Sequence, residues 1–328
     1  MKQWLQPGFW IVFALVLILG LWPILLQDAA SREVAFTILL AITMAVSLNI
    51  IMGYTGYVSF GHVVFYGLGG YVGMYLIHTA GLPLPLAVLG GGAAAALLAF
   101  LLGRAILRLR GAYFALVTIG VNEAARTFVS NFKPFGGPTG IELQFSVYKP
   151  YGGPAQALWL TYYAVAGISL FAVIFSYFIK SSKFGLGLMS IREDEDAAEV
   201  MGIVTPSVKT MAFVFSAFLP GMLGVLFFFK NGNVEPRDAF RLGFSIESLV
   251  MIMLGGQGTL LGPVIGALGY QRLRGALLTS SMKIGTLLLK DFQLVIAGLL
   301  MLLIILFIPA GLVGWLRQRF PGLRRILA

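Results

Sequence analysis

Glu123 and Arg126 stand three residues apart inside an otherwise apolar run from 112 to 130, with Asn122 beside them. At that spacing the two side chains share one face of a helix and can pair. Ionisable groups inside a membrane-crossing stretch are costly, so the pair either gates or lines a path for a polar solute or neutralises itself to fix helix packing. A second candidate group accompanies a glycine-rich break, Gly53-Tyr54-Thr55-Gly56-Tyr57-Val58-Ser59-Phe60-Gly61-His62, where Thr55, Ser59 and His62 suit a pathway wall or a cytoplasmic re-entrant segment. The only other histidine is His78, and both rings equally suit ordinary packing. A third group is the densest charge cluster of the chain, Ser190-Ile191-Arg192-Glu193-Asp194-Glu195-Asp196-Ala197-Ala198-Glu199-Val200-Met201-Gly202.

Several chemistries lack their residues. Cysteine is absent, which removes disulfides, thiolate nucleophiles and Cys-ligated metals. No His-Glu-x-x-His, Gly-x-Ser-x-Gly or Walker A sequence occurs, so zinc protease, serine hydrolase and nucleotidase readings have no support. Gly67, Gly69, Gly70 and Gly73 lie in an apolar run with no strand before them, unlike a dinucleotide loop. No cofactor or metal is expected, and the chain is not read as an enzyme.

The elements that must position these residues are membrane spans. Charged residues are 11% and apolar residues 59% of 328, where soluble domains carry about a quarter charged. The mean hydropathy is +0.91. The fold class is therefore all-α, a polytopic membrane protein in a lipid bilayer. Apolar runs long enough to cross occupy residues 9–26, 34–52, 63–80, 84–103, 112–130, 157–179, 210–230, 244–268 and 292–309. The stretch 275–289, interrupted by Lys283 and two glycines, is a tenth span, a re-entrant piece or an interfacial helix. The first run follows Lys2 and precedes Ala29-Ala30-Ser31, but it exceeds a signal-peptide core of about 7 to 15 residues and reads as a retained helix.

The excess of 23 Lys+Arg over 13 Asp+Glu gives +10, which here reflects basic cytoplasmic loops and no nucleic-acid partner. Arg104, Arg108 and Arg110, then Lys180 and Lys183, then Arg317, Arg319, Arg324 and Arg325 mark the cytoplasmic side. Alternation puts both termini inside and segments 131–156 and 231–243 outside, provided that 275–289 crosses, for about ten spans. The whole chain, 1–328, reads as one transmembrane domain with a cytoplasmic loop over 181–209. A second glycine cluster, Gly255-Gly256-Gln257-Gly258-Thr259-Leu260-Leu261-Gly262-Pro263, suits either a pathway break or close helix packing, since Gly258, Gly262 and Gly266 recur every four residues.

In the charged cluster, helical spacing puts Ala197, Ala198 and Met201 on one face, with Asp194, Glu195, Asp196 and Glu199 on the remainder. Gly202 is placed to end that helix. The small apolar face suits docking onto another protein; a solvated linker between two spans is the plainer alternative.

Four blocks together resemble the LivM-type permeases of branched-chain amino acid ABC transporters: GYTGYVSFGHVVFYGLGGY (53–71), GAYFALVTIGVNEAARTFVSNFKPFGGPTGI (111–141), SKFGLGLMSIREDEDAAEVMGI (182–203) and SIESLVMIMLGGQGTLLGPVIGAL (245–268). The resemblance implies a subunit of a bacterial inner membrane. Its implied partners are a homologous second permease, two cytoplasmic ABC ATPases and a periplasmic substrate-binding protein. It also implies that Glu193 to Gly202 is the helix docking onto the ATPases, with Asp196 in place of the usual glutamate of a Glu-Ala-Ala loop. The Ile-x-Leu-Pro ending of the general importer motif is missing at its usual spacing. Related permeases carry urea or short amides. The rival reading is an ion-coupled secondary transporter using Glu123.

Overall fold

The computed structural model describes residues 7–279, 283–284, 287–288, 292–308 and 310–320. The first half runs through α1 (Pro7–Leu26), α2 (Ala29–Thr55), α3 (Val63–His78), α4 (Leu84–Ile106), α5 (Ala112–Asn131) and α6 (Pro154–Ser181). Two helices, α7 (Lys183–Glu193) and α8 (Glu195–Val200), occupy the charged connection. Then follow α9 (Thr205–Asn231), α10 (Pro236–Ala239), α11 (Leu242–Gly255), α12 (Leu261–Thr279), α13 (Gln293–Phe307) and α14 (Gly311–Arg319).

Local chemistry sets the ends. The Asp28 carboxylate accepts hydrogen bonds from the amides of Ala30 and Ser31 at 3.3 and 3.0 Å, satisfying donors that the first turn of α2 leaves free. Gly56, at φ +80°, stops the same helix. Prolines open α4, α6, α9 and α10, where the missing amide costs nothing. In α2, 89% of the most apolar stretch is buried, against 22% in α1, so α2 is the central post and α1 lies at the rim. The glycines of α3 are packing residues: a Cβ on Gly69 would lie 2.4 Å from the Gly221 backbone, and one on Gly224 2.0 Å from the Tyr66 carbonyl. Helices α3 and α9 thus touch backbone to backbone.

Two sequence expectations change. The run 244–268, read as one span, is a hairpin of two helices: Gly256 and Gly258 sit at φ +122° and +74°, which no continuing helix allows, and the chain reverses between α11 and α12. A Cβ on Gly266 would lie 1.8 Å from the Met251 carbonyl, which is the close approach that the glycine spacing suits. Residues 275–279 end α12 and 283–284 pair with 287–288, while the rest of that stretch lies outside the described residues. Nor does 231–243 stay at the ends of the helices. Asn122, halfway along α5, donates to the Phe240 carbonyl at 3.0 Å, so the end of α10 and the start of α11 lie level with the middle of α5. The two turn-rich segments do meet, Ile141 pairing with Val234 and Glu142 with Asn233 in a short antiparallel ladder.

Candidate coupling node and transport elements

The charged connection is an angled pair of helices. Helix α7 ends at Glu193, and Asp194, in extended conformation, turns the chain and caps α8 by accepting from the amides of Asp196 and Ala197, both at 3.0 Å. Gly202, at φ +87°, closes α8, with its amide on the Glu199 carbonyl at 2.9 Å and the Ile203 amide on that of Ala198 at 3.1 Å. The helix expected over 193–202 is thus shorter, because Asp194 both breaks α7 and begins α8.

One carboxylate ties this short helix to the body of the protein. Glu195 accepts from the Tyr57 hydroxyl at 2.8 Å and from Lys209 Nζ at 2.5 Å, and Arg110 Nε lies 3.3 Å away. Lys209 also donates to the Tyr57 hydroxyl and the Leu107 carbonyl, each at 2.8 Å, and its side chain is only 3% exposed. Three elements therefore converge on α8: the first glycine break through Tyr57, the α4–α5 connection through Arg110, and the foot of α9 through Lys209. Burial alone would raise the Glu195 carboxyl, but hydrogen bonds from Lys209 and Tyr57 and the charges of Lys209 and Arg110 outweigh it, so its pKa is lowered. Asp196 is also lowered, by its hydrogen bond to Arg110 at 2.8 Å.

The two glycine clusters, some two hundred residues apart, meet in space. Asn49 donates to the Thr259 carbonyl at 3.1 Å and accepts from the Gly258 amide at 3.0 Å. A Cβ on Gly53 would lie 2.6 Å from the Gly258 amide, so the approach requires glycine there. Arg192, the next-to-last residue of α7, donates to the Gly53 carbonyl at 2.8 Å. The charged connection thus grips both the glycine contact, through Arg192, and the adjoining loop, through Glu195.

The pathway candidates separate. Thr55, Ser59, His62 and Asn122 are each at most 3% exposed. Thr55 bonds to the Ile51 carbonyl and His62 Nε2 lies 3.0 Å from that of Ser216, so both pack within the helices. Glu123 and Arg126 do pair, at 3.3 Å, but on the outer face of α5, with side chains 59% and 46% exposed. In α8 the structure corrects the expected face: Ala198 is 3% exposed and packed inward, whereas Val200, Met201 and Val204 are 88%, 83% and 66% exposed. Glu195 and Ala198, three residues apart, share the face of α8 that packs against the body. Glu193, Asp194, Asp196, Ala197, Glu199 and Gly202 remain exposed.

The sequence attached no role to Lys209, Arg241, Glu247 or Arg274, and to Arg192 none beyond its place in the charged cluster. Glu247 is 1% exposed and lies 3.3 Å from Arg274 and 3.9 Å from Arg241. The available signal was a lone acid within the apolar run 244–268.

The sequence pattern of the family described as the permease component of the branched-chain amino acid transport system matches residues 32–309. The chain belongs to that family. This permease is 30% identical to the high-affinity branched-chain amino acid transport system permease protein LivM of Salmonella typhimurium, over 94% of this chain and 75% of that protein. It is 29% identical to LivM of Escherichia coli over 93% and 75%. The permease is also 30% identical to LivH of Salmonella typhimurium, over 42% of each chain. No solved structure matches it. Family and helices together make the chain a multi-pass membrane permease subunit, a transport component.

Proposed function

We propose that this chain is the translocation subunit of an ATP-driven importer for branched-chain or related amino acids, acting in a bacterial inner membrane with both termini and the 181–209 segment cytoplasmic. A second, homologous permease stands beside it, two ABC ATPases bind from the cytoplasm, and a periplasmic binding protein delivers substrate. The relatives named LivM and LivH support the substrate class and the paired permease. The observation that carries the mechanism is the Glu195 node, because it joins an exposed helix to the glycine break through a 2.8 Å hydrogen bond from Tyr57 and to α9 through one of 2.5 Å from Lys209.

The exposed side of α8 offers Ala197, Val200 and Met201, continued by Val204, among four carboxylates. Such a patch suits a partner groove with an apolar floor and basic rim. Closure of the ATPase dimer pushes α8. Glu195 and Arg192 carry the push to Tyr57 and Gly53, where two broken helices meet, and the helix ends tilt between two states. The chain itself supplies no ATP-binding loop, so the energy comes from the partners.

Helix α5 supports the second permease. It leaves Tyr113, Leu116 and Phe128 at 73%, 65% and 59% exposure beside the Glu123–Arg126 pair. A charged pair on a bare membrane helix needs protein or water next to it. Pairing within α5 also leaves Glu123 without the free carboxylate that an ion-coupled carrier uses.

The test is co-expression with the neighbouring permease, ATPases and binding protein, followed by reconstitution in liposomes. ATP-dependent uptake of L-leucine that vanishes when α8 is disrupted by Met201→Arg is the expected result. Uptake by this chain alone, driven by an ion gradient, would overturn the reading, and uptake of urea or acetamide in place of leucine would move the substrate class.

A further inference from the structure

A cavity of about 380 Å3 opens between α2, α3, α9, α11 and α12, within the range of about 300 to 1,000 Å3 typical of small-molecule sites. Its chemistry has two poles. Arg241 and Arg274 line it and share Glu247, and the first turn of α11 begins beside Arg241. Helix α11 has 14 residues and starts level with the middle of α5, where Asn122 holds the Phe240 carbonyl at 3.0 Å. The positive end of a broken helix therefore points into the protein at the level where transporters hold anionic groups. Glu247 lies 3.3 Å from Arg274 and 3.9 Å from Arg241 and keeps both guanidinium groups over the cavity.

The other pole is acidic. Glu235 and Asp238 also line the cavity and are exposed to it, and neither forms an ion pair among the described residues. Between the poles the wall is apolar and aromatic, with Tyr66, Phe227, Phe228 and Phe244. Tyr66 lies 5.2 to 5.8 Å, centroid to centroid, from each of the other three rings.

Resting on the importer reading above, we infer that this cavity is a binding site for the transported amino acid inside the permease. The α-carboxylate meets Arg241, Arg274 and the α11 end, and the α-ammonium meets Asp238 and Glu235. The branched side chain lies against the aromatic wall. A structural ion-pair cluster would bring each acid onto a base; among the described residues Glu235 and Asp238 form no ion pair, while Arg241 and Arg274 share Glu247 and the third base of the wall, Lys230, pairs with Glu33. A zwitterion supplies both kinds of partner, a carboxylate for the guanidinium groups and an ammonium for the unpaired acids. A solute lacking either charged group leaves the acids or the guanidinium groups unmatched.

The test uses the complete complex in liposomes, with radiolabelled L-leucine and the photoactivatable analogue L-photo-leucine. Photolysis is expected to label peptides bearing Phe227, Phe228 or Phe244. Excess L-leucine should abolish the labelling, whereas leucinol, which lacks the carboxylate, and isocaproate, which lacks the ammonium, should not. Arg241→Gln and Asp238→Asn should each lower leucine uptake about tenfold or more, the worth of one charge-assisted hydrogen bond, with assembly unaltered by gel filtration. Wild-type complex that imports leucine but labels elsewhere, or imports at an unchanged rate in both variants, overturns the site alone. Wild-type complex that imports no leucine overturns the importer reading, and this inference with it.

Discussion

Replacing Glu195 by glutamine removes the charge on which α8, the first glycine break and α9 converge. Lys209, 3% exposed, would keep the Tyr57 hydroxyl and the Leu107 carbonyl but lose its counter-charge. Leaving a buried charge without its partner costs about 3 kcal/mol or more. Lys209→Met should cost less, about 1 to 2 kcal/mol, because Arg110 at 3.3 Å and Tyr57 at 2.8 Å still attend the carboxylate at the rim. The double variant leaves no uncompensated charge, so the two losses should overlap by at least about 1.5 kcal/mol. Thermal unfolding of the detergent-solubilised complex, scanned across pH, measures this cycle. The pH dependence has a definite sign. The folded Glu195 carboxyl titrates below its ordinary value, so its contribution is fully present above the unfolded value of about 4.3 and is lost as pH falls through the folded one. The glutamine variant should lack that acid-sensitive limb. Additivity within about 0.5 kcal/mol, or an unchanged acid limb, would refute the node.

Three further outcomes follow from the same geometry. Met201→Arg and Val200→Arg, at positions 83% and 88% exposed, should abolish co-purification of the ATPases and leave the thermal midpoint of the permease pair unchanged; Ala198→Arg, at a position 3% exposed, should lower that midpoint as well, since it forces a charge into packed space. The Glu123–Arg126 pair, with side chains 59% and 46% exposed, should show a coupling of at most about 0.5 kcal/mol in the isolated chain. It should exceed 1 kcal/mol, as a rough scale for a desolvated pair, only when the second permease is assembled, as a double-mutant cycle in each state would record. Asn49→Leu removes both hydrogen bonds that join the glycine clusters, strands the Gly258 amide and the Thr259 carbonyl, and should cost about 2 to 4 kcal/mol; hydrogen exchange at residues 255–260 should rise with it, and unchanged exchange would show that the clusters hold together by packing alone.

Sequence alone determined what depends on composition and period. Apolar runs located the helices that became α1 to α6, α9 and α13, because a bilayer core admits only segments that satisfy their own backbone. Charge density marked the connection that holds α7 and α8, and the four motif blocks carried the family. Tertiary structure alone decided which side chains act together. That Asn49 reaches Gly258, that Glu195 binds Tyr57 and Lys209, and that Ala198 turns inward all depend on contacts between residues far apart in the chain or on one turn at Asp194. Hydropathy also could not divide 244–268, because Gly256 and Gly258 are as compatible with an apolar run as with its reversal; only their positive φ values, imposed by the packing of α11 on α12, distinguish the two. The mixed-charge cavity lay hidden for the same reason. Its poles come from segments that are adjacent only after the chain reaches the level of the middle of α5 and returns, and no one-dimensional spacing encodes that meeting.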